Sequence, residues 1–139
     1  MTTKTVEQLV AKGRAARTAS RTLARTSSRV KNRALLNIAE ALETEQANIL
    51  KANEKDYQSS QSDGLNEAML DRLLLTPQRL AGMASDLQGV ASLPDPVGEF
   101  FDMGTLPNGL TAGKKRVPLG VIGAIYESRP NVTVDISAS

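Results

Sequence analysis

The sequence predicts an α/β fold in which amino-terminal helices are followed by a β-hairpin and then by one strand of the kind found in parallel α/β sheets. Three observations predict it. Apolar residues recur at helical spacing through the first two thirds of the chain. The pair Asn108 and Gly109 lies between two short runs and indicates a hairpin turn. Residues 119–125 are apolar except for two glycines, a pattern typical of a strand buried on both faces of a parallel sheet.

Length and composition fit one ordinary globular domain. The 139 residues are 40% apolar and 23% charged, but only 3% are aromatic, so the core is expected to be aliphatic. The chain contains no Cys and no His. Disulfides, thiolate metal sites, cysteine nucleophiles and histidine bases are therefore excluded from these residues, and no metal site is expected.

Targeting signals are not evident in the chain. It lacks an apolar run of about 18 residues, so no membrane span is expected. Its start lacks the apolar centre of a secretory signal, which makes the cytoplasm the expected location.

Charge is distributed unevenly along the chain. Residues 1–33 hold nine Lys or Arg against Glu7 alone, a net +8, while the remaining residues hold eight bases and fourteen acids, a net −6. Such a segment suits a nucleic acid, an anionic membrane or a transit peptide, so a basic helical nucleic-acid-binding module over residues 4–33 is an alternative function. The other interpretation is a solvated helix face. It is favoured because nucleic-acid motifs and stacking aromatics are missing, and no nucleic-acid partner is expected.

Helical periodicity is clear in the first half of the chain. Residues 5–24 carry loosely spaced apolar residues and predict the first helix. The hydroxyl side chains of residues 26–28 can cap a second helix, whose apolar stripe is Leu35, Ile38, Leu42 and Ile49. The polar run that follows predicts a loop or helix end near Gly64.

Two more helices are predicted before the prolines at 94 and 96. Residues 66–74 form a short apolar pattern. Thr76 and Pro77 then have the residue types of an N-cap and a first helical position. The helix they start has one apolar face, made of Leu80, Met83, Ala84 and Leu87.

The predicted hairpin pairs residues 98–106 with residues 110–117. A two-stranded ribbon is marginal alone in water, so it should lie against another surface or another subunit. A pure assembly module, in which this hairpin joins copies of the chain, is a further hypothesis.

The segment 125–131 joins the predicted strand to a helix start, which is where doubly wound folds bind ligands. Pro130 disfavours helical backbone at Arg129. The guanidinium of Arg129 can bind a carboxylate or phosphate in a bidentate manner, or it is a surface charge. The amide of Asn131 can stabilise an oxyanion, or it caps the helix. Gly120 and Gly123 do not form a dinucleotide fingerprint.

Residues 117–135, VPLGVIGAIYESRPNVTVD, closely resemble the gamma-glutamyl phosphate reductase (glutamate-5-semialdehyde dehydrogenase) family of the aldehyde dehydrogenase superfamily. The resemblance continues upstream through residues 65–73 and 93–98 and through short matches around positions 32, 38 and 52. It covers essentially the whole chain. The 117–135 motif is specific, whereas the helical matches are individually weak but occur in the expected order.

The resemblance implies a reaction of proline biosynthesis. NADPH reduces L-glutamate 5-phosphate to L-glutamate 5-semialdehyde with release of phosphate, after a cysteine thiolate attacks the acyl phosphate. It also implies a homo-oligomer formed through the hairpin 98–116 and association with glutamate 5-kinase. In the fold that the resemblance implies, residues 1–96 are the helical part of the cofactor domain, 97–117 the hairpin arm, and 118–139 the first strand and helix start of a Rossmann-like dinucleotide-binding core.

The resemblance also implies roles for individual residues. Ile125, Tyr126 and Glu127 would line the cofactor, mainly with backbone atoms. Ser128 and Arg129 would bind the substrate, and Asn131 would donate to the oxyanion. The motif here is Glu-Ser-Arg-Pro-Asn, where common aldehyde dehydrogenases have Pro-Trp-Asn. Family members are several-fold longer and carry their cysteine downstream, so this chain is expected to be an amino-terminal part without activity of its own.

Overall fold

The computed structural model describes residues 3–139. Within them lie six α-helices and one antiparallel pair of strands, which confirms the predicted combination of helices followed by a hairpin. In chain order the elements are α1 (Thr3–Leu23), α2 (Ser28–Thr44), α3 (Gln46–Ser62), α4 (Glu67–Leu73), α5 (Pro77–Ser92), β1 (Phe100–Thr105), β2 (Thr111–Lys115) and α6 (Pro130–Ala138).

These elements belong to two compact units. Among the described residues, the hairpin unit comprises 3–27 and Pro94–Gly123, and the helical unit comprises Ser28–Leu93 and Ala124–Ser139. The three-part division predicted from the sequence refers to the domains of a longer enzyme and stays a prediction.

The core of the helical unit forms where α2 packs against α5. Ala39, Ala84 and Leu87 are buried at its centre. The apolar face predicted for α5 is confirmed, because each of its four residues is less than 9% exposed: Leu80, Met83, Ala84 and Leu87. Full burial of one such leucine stabilises the fold by about 2–3 kcal/mol relative to exposure.

Local capping signals set the starts of α4 and α5. The side chain of Asn66 accepts a hydrogen bond of 3.0 Å from the backbone N–H of Met69. The hydroxyl of Thr76 accepts one of 3.1 Å from the N–H of Arg79, and Pro77 occupies the first helical position, as predicted. Each bond satisfies a backbone donor that the first turn of a helix leaves free.

The predicted second helix is divided in the structure. Its apolar stripe runs through two helices, α2 and α3, which are separated at Glu45 (φ −92°, ψ 10°). Sequence spacing alone missed the break because it is only one residue long and hardly shifts the helical phase. The polar residues after position 50 extend α3 to Ser62, and Gly64 follows with φ +82°.

The hairpin of the second half is confirmed at its predicted turn. Gly109 has φ +85°, and the N–H of Leu106 donates a 2.8 Å hydrogen bond to the carbonyl oxygen of Leu110. The pairing shifts between Phe101 and Gly104, which is a β-bulge because one extra residue lies on β1.

Charged side chains on β2 cover the aromatic residues of β1. Lys115 lies 4.9 Å from the centre of the Phe100 ring. Lys114 forms an ion pair of 2.8 Å with Asp102. Phe100 is still 62% exposed, so the ribbon retains apolar surface.

The predicted parallel strand over residues 119–125 is wrong for this chain. The segment lies outside any helix or strand, Leu119 is 88% exposed, and Ile125 is fully exposed. A strand persists only when neighbouring strands satisfy its backbone groups, and residues 3–139 contain no strand beside this segment. Gly120, with φ +94°, also interrupts the extended backbone.

The basic helix α1 has a nearly continuous exposed surface. Residues 4–19 are all exposed. None of the helices among residues 3–139 is both long enough and apolar enough to cross a membrane.

Candidate functional site

The turn that carries the predicted site begins with a strained residue. Ser128 has φ +50°, a left-handed conformation that costs a residue with a Cβ atom roughly 1–2 kcal/mol. Arg129 follows as the N-cap of α6 with φ −140° and ψ 81°, and Pro130 is the first helical residue. The expected effect of Pro130, to keep Arg129 out of the helix, is confirmed.

Asn131 is the second residue of α6 rather than its cap. Its side-chain amide donates a long hydrogen bond of 3.4 Å to the Asp135 carboxylate, one turn further along the helix. Its backbone N–H belongs to the first turn of the helix, and no acceptor for it lies among residues 3–139. Asn131 is exposed, so both groups are accessible.

Helix α6 is held against the helical core, which positions the turn. Val134 and Ala138 pack on the buried cluster of α2 and α5. The hydroxyl of Tyr126 lies 2.9 Å from Oγ1 of Thr133, a bond that ties the residues before the turn to the same helix. The position of the turn is thus set by the packing of α6 rather than by the expected sheet.

An open groove of about 390 Å³ lies beside this turn. All of it belongs to the helical unit. Its walls come from α4, the connector between α4 and α5, the start of α5, and the start of α6, and its lining residues are Asp71, Arg72, Leu74, Leu75, Arg79, Arg129, Pro130 and Asn131.

The connector that forms one wall of the groove is fixed by Asn53 of α3. This side chain is buried, with 6% of the residue exposed. Its amide donates to the carbonyl oxygen of Leu73 at 2.8 Å, and its oxygen accepts from the N–H of Leu75 at 2.7 Å. Both ends of the amide are used, so the buried polar group is satisfied and the extended connector keeps one geometry.

A second side chain, Arg79, ties the connector to α4. It donates to the carboxylate of Asp71 at 2.8 Å and to the carbonyl oxygen of Leu74 at 2.7 Å. A third bond goes to the backbone carbonyl of Asp71. Because its charge is balanced by Asp71, Arg79 shapes the groove without adding net charge to it.

The remaining charges of the groove are positive. Arg72 and Arg129 both line it, and neither forms an ion pair with any residue in the described part of the chain. The amino-terminal end of α6 adds the partial positive charge of a helix dipole. Chemically, this arrangement suits an anion with several oxygen atoms.

The structure brings together only part of the predicted site. Arg129 and Asn131 line the groove, whereas Ser128 and the three residues predicted to contact the cofactor, Ile125, Tyr126 and Glu127, do not. Sequence reasoning missed Arg72, Arg79 and Asp71, because they are far from the turn in sequence and each is typical of an ordinary helix surface.

Relatives of the chain are known in other organisms. Two proteins from strains of Dehalococcoides mccartyi, both called gamma-glutamyl phosphate reductase, are 56% identical to it over 135 residues. The aligned region covers 97% of this chain and 32% of each relative, so the chain spans about a third of their length. No family model matches the sequence.

Solved structures agree with the sequence relatives. The crystal structure of gamma-glutamyl phosphate reductase from Thermotoga maritima matches 94% of this chain with a TM-score of 0.89 and 40% identity, over 31% of its own chain. The enzyme from Saccharomyces cerevisiae matches 88% of this chain with a TM-score of 0.84 and 34% identity, also over 31% of its own chain. The resemblance predicted from the sequence is confirmed: over nearly its whole length, this chain is similar to the amino-terminal part of gamma-glutamyl phosphate reductase.

Proposed function

We propose that this chain is part of an NADPH-dependent reductase that converts L-glutamate 5-phosphate to L-glutamate 5-semialdehyde and phosphate. The 56% identity to gamma-glutamyl phosphate reductases over 97% of the chain carries this proposal. The relatives favour it over the alternative of a nucleic-acid-binding module. The cytoplasm is the proposed location.

The chain's own contribution to the chemistry is positioning and charge stabilisation. Arg129 binds an anionic group of the substrate, with Ser128 beside it in the turn. The amide of Asn131 donates to the oxyanion that develops as the acyl carbon is attacked, a contribution worth about 3–4 kcal/mol in comparable sites. These 139 residues contain no Cys, so the thiolate nucleophile comes from a part of the enzyme outside them.

The cofactor roles of residues 125–127 are compatible with their surroundings. Ile125 has a fully exposed side chain that can cover one face of an aromatic ring. The backbone groups of these residues form no hydrogen bonds within the described part of the chain, so they are free to bind a ligand. Ile125, Tyr126 and Glu127 would therefore hold one edge of the nicotinamide, and the cofactor would supply the hydride for the reduction.

The hairpin is proposed as the arm that joins subunits. Its two strands leave Phe100 and Met103 more than half exposed, and neither strand has a second neighbour among residues 3–139. Both properties suit a ribbon that adds to a sheet of another subunit. Association with glutamate 5-kinase, which would supply the unstable acyl phosphate, is part of the same proposal.

The test uses a chimera in which this chain replaces the matched third of a Dehalococcoides mccartyi relative. The expected result is NADP reduction in the reverse direction, with L-glutamate 5-semialdehyde and phosphate as substrates, and growth without proline of a strain that lacks the reductase. The isolated chain should show neither activity. A chimera that folds, as judged by circular dichroism, but turns over no substrate would contradict the proposal.

A further inference from the structure

Two unpaired arginines face one groove from distant parts of the sequence. Arg72 belongs to α4, and Arg129 is the N-cap of α6. Both line the groove, and neither has a carboxylate partner among residues 3–139, whereas Arg79 in the same groove is paired with Asp71 at 2.8 Å. Two guanidinium groups left unbalanced in one concave surface are an arrangement that a bound anion would complete.

The start of α6 adds a third donor to this groove. Pro130 has no N–H, so the first backbone donor of the helix is the N–H of Asn131, and nothing in the described chain accepts it. The helix dipole concentrates positive charge at the same place. This is an independent reason for an anion to bind there, since it does not depend on the arginine side chains.

We propose that Arg72, Arg129 and the backbone N–H of Asn131 form an oxyanion-binding subsite for one end of the substrate. Asn53 and Arg79 are positioning residues that hold the connector forming its wall. The subsite takes either the phosphoryl group or the α-carboxylate, which share the chemistry of a compact anion with several oxygens. The identity of the substrate rests on the proposed function, whereas binding of the anion does not.

The test is a titration of the 139-residue chain with inorganic phosphate and, separately, with L-glutamate. The amide signals of Asn131 and Val132 report binding by heteronuclear NMR. Potassium chloride keeps the ionic strength constant, so a change in ionic screening is excluded as the cause of any shift in these signals. Saturation by phosphate would identify the phosphoryl end, and saturation by L-glutamate without a response to phosphate would identify a carboxylate end.

Substitutions separate a defined subsite from diffuse positive charge. Arg72→Gln and Arg129→Gln should each weaken binding by about tenfold, the loss expected for one charge-assisted hydrogen bond. Arg33→Gln, on the exposed surface of α2 in the same unit, removes the same charge and should leave the affinity unchanged. Circular dichroism confirms that each variant is folded.

The proposal fails if neither anion gives a saturable shift at constant ionic strength, or if Arg33→Gln weakens binding as much as the two groove variants do. Because this readout needs no turnover, an inactive chimera with intact anion binding would overturn the proposed function alone. An active chimera whose phosphate and semialdehyde KM values are unchanged by Arg72→Gln would overturn the subsite alone.

Discussion

The side-chain amide of Asn53 donates a 2.8 Å hydrogen bond to the carbonyl oxygen of Leu73, which lies twenty residues further along the chain. The oxygen of the same amide accepts from the N–H of Leu75. One buried side chain on α3 thus satisfies two backbone groups of the connector that borders the groove, and it links the stability of the helical unit to the shape of the candidate site.

Replacing Asn53 with Ala should lower the free energy of unfolding by about 2–3 kcal/mol, because the N–H of Leu75 and the carbonyl oxygen of Leu73, both at a partly buried site, lose their partner. Chemical denaturation measures the loss. Asn48→Ala is the matched control, since Asn48 lies on the same helix but is exposed. Its effect should stay within about 0.5 kcal/mol. Equal losses in the two variants would mean that the hydrogen bonds of Asn53 contribute nothing to the free energy of unfolding.

Leu80 tests the burial of the apolar face of α5. It is 1% exposed, so Leu80→Ala should cost about 2–5 kcal/mol through lost burial and the cavity left behind. Leu93→Ala removes the same atoms from a side chain that is 61% exposed, and it should change stability much less. Thermal and chemical unfolding of both variants provide the comparison. A small loss at Leu80 would show that this face of α5 is not buried as described.

Gly109 tests the hairpin turn. Its φ of +85° is unfavourable for a residue with a Cβ atom, so Gly109→Ala should destabilise the ribbon by about 1–2 kcal/mol. NMR contacts between Thr105 and Thr111, which pair across the strands, should weaken or disappear. Gly104 lies in β1 and does not have a positive φ, so Gly104→Ala should retain the contacts between Thr105 and Thr111. Undiminished contacts in Gly109→Ala would contradict the turn geometry.

Asn131 tests the proposed oxyanion role in the chimera. Asn131→Ala should reduce kcat by about 10²–10³-fold, since one donor to the developing charge is removed. Asn48→Ala, an exposed amide on α3, is the control and should leave kcat unchanged. Steady-state kinetics in the reverse direction measure both. A near-normal kcat in Asn131→Ala would exclude the role.

Local signals in the sequence predicted most of the helical unit and the hairpin. The cap Thr76, the buried face of α5 and the Asn-Gly turn depend on residues close together in the sequence, so sequence spacing captures them. Residues 119–125 were predicted as a strand and are exposed coil, because strand formation requires a partner and residues 3–139 supply none.

The groove was also only partly predictable from the sequence. Sequence reasoning singled out Arg129 and Asn131 because a proline, a turn and a specific motif surround them. It gave no reason to connect them with Arg72, since the proximity of these residues results from the packing of α6 on α5 and from the hydrogen bonds of Asn53. Contacts of this kind depend on tertiary structure, and no local pattern encodes them.

The exposed residues 117–127 have a practical consequence for anyone who purifies the chain. Exposed branched apolar side chains lie there beside backbone amides that have no hydrogen-bond partner in the described chain. This combination allows separate molecules to associate by pairing as intermolecular β-strands. Aggregation should therefore increase as concentration rises, and Ile122→Lys should raise the concentration at which precipitation begins.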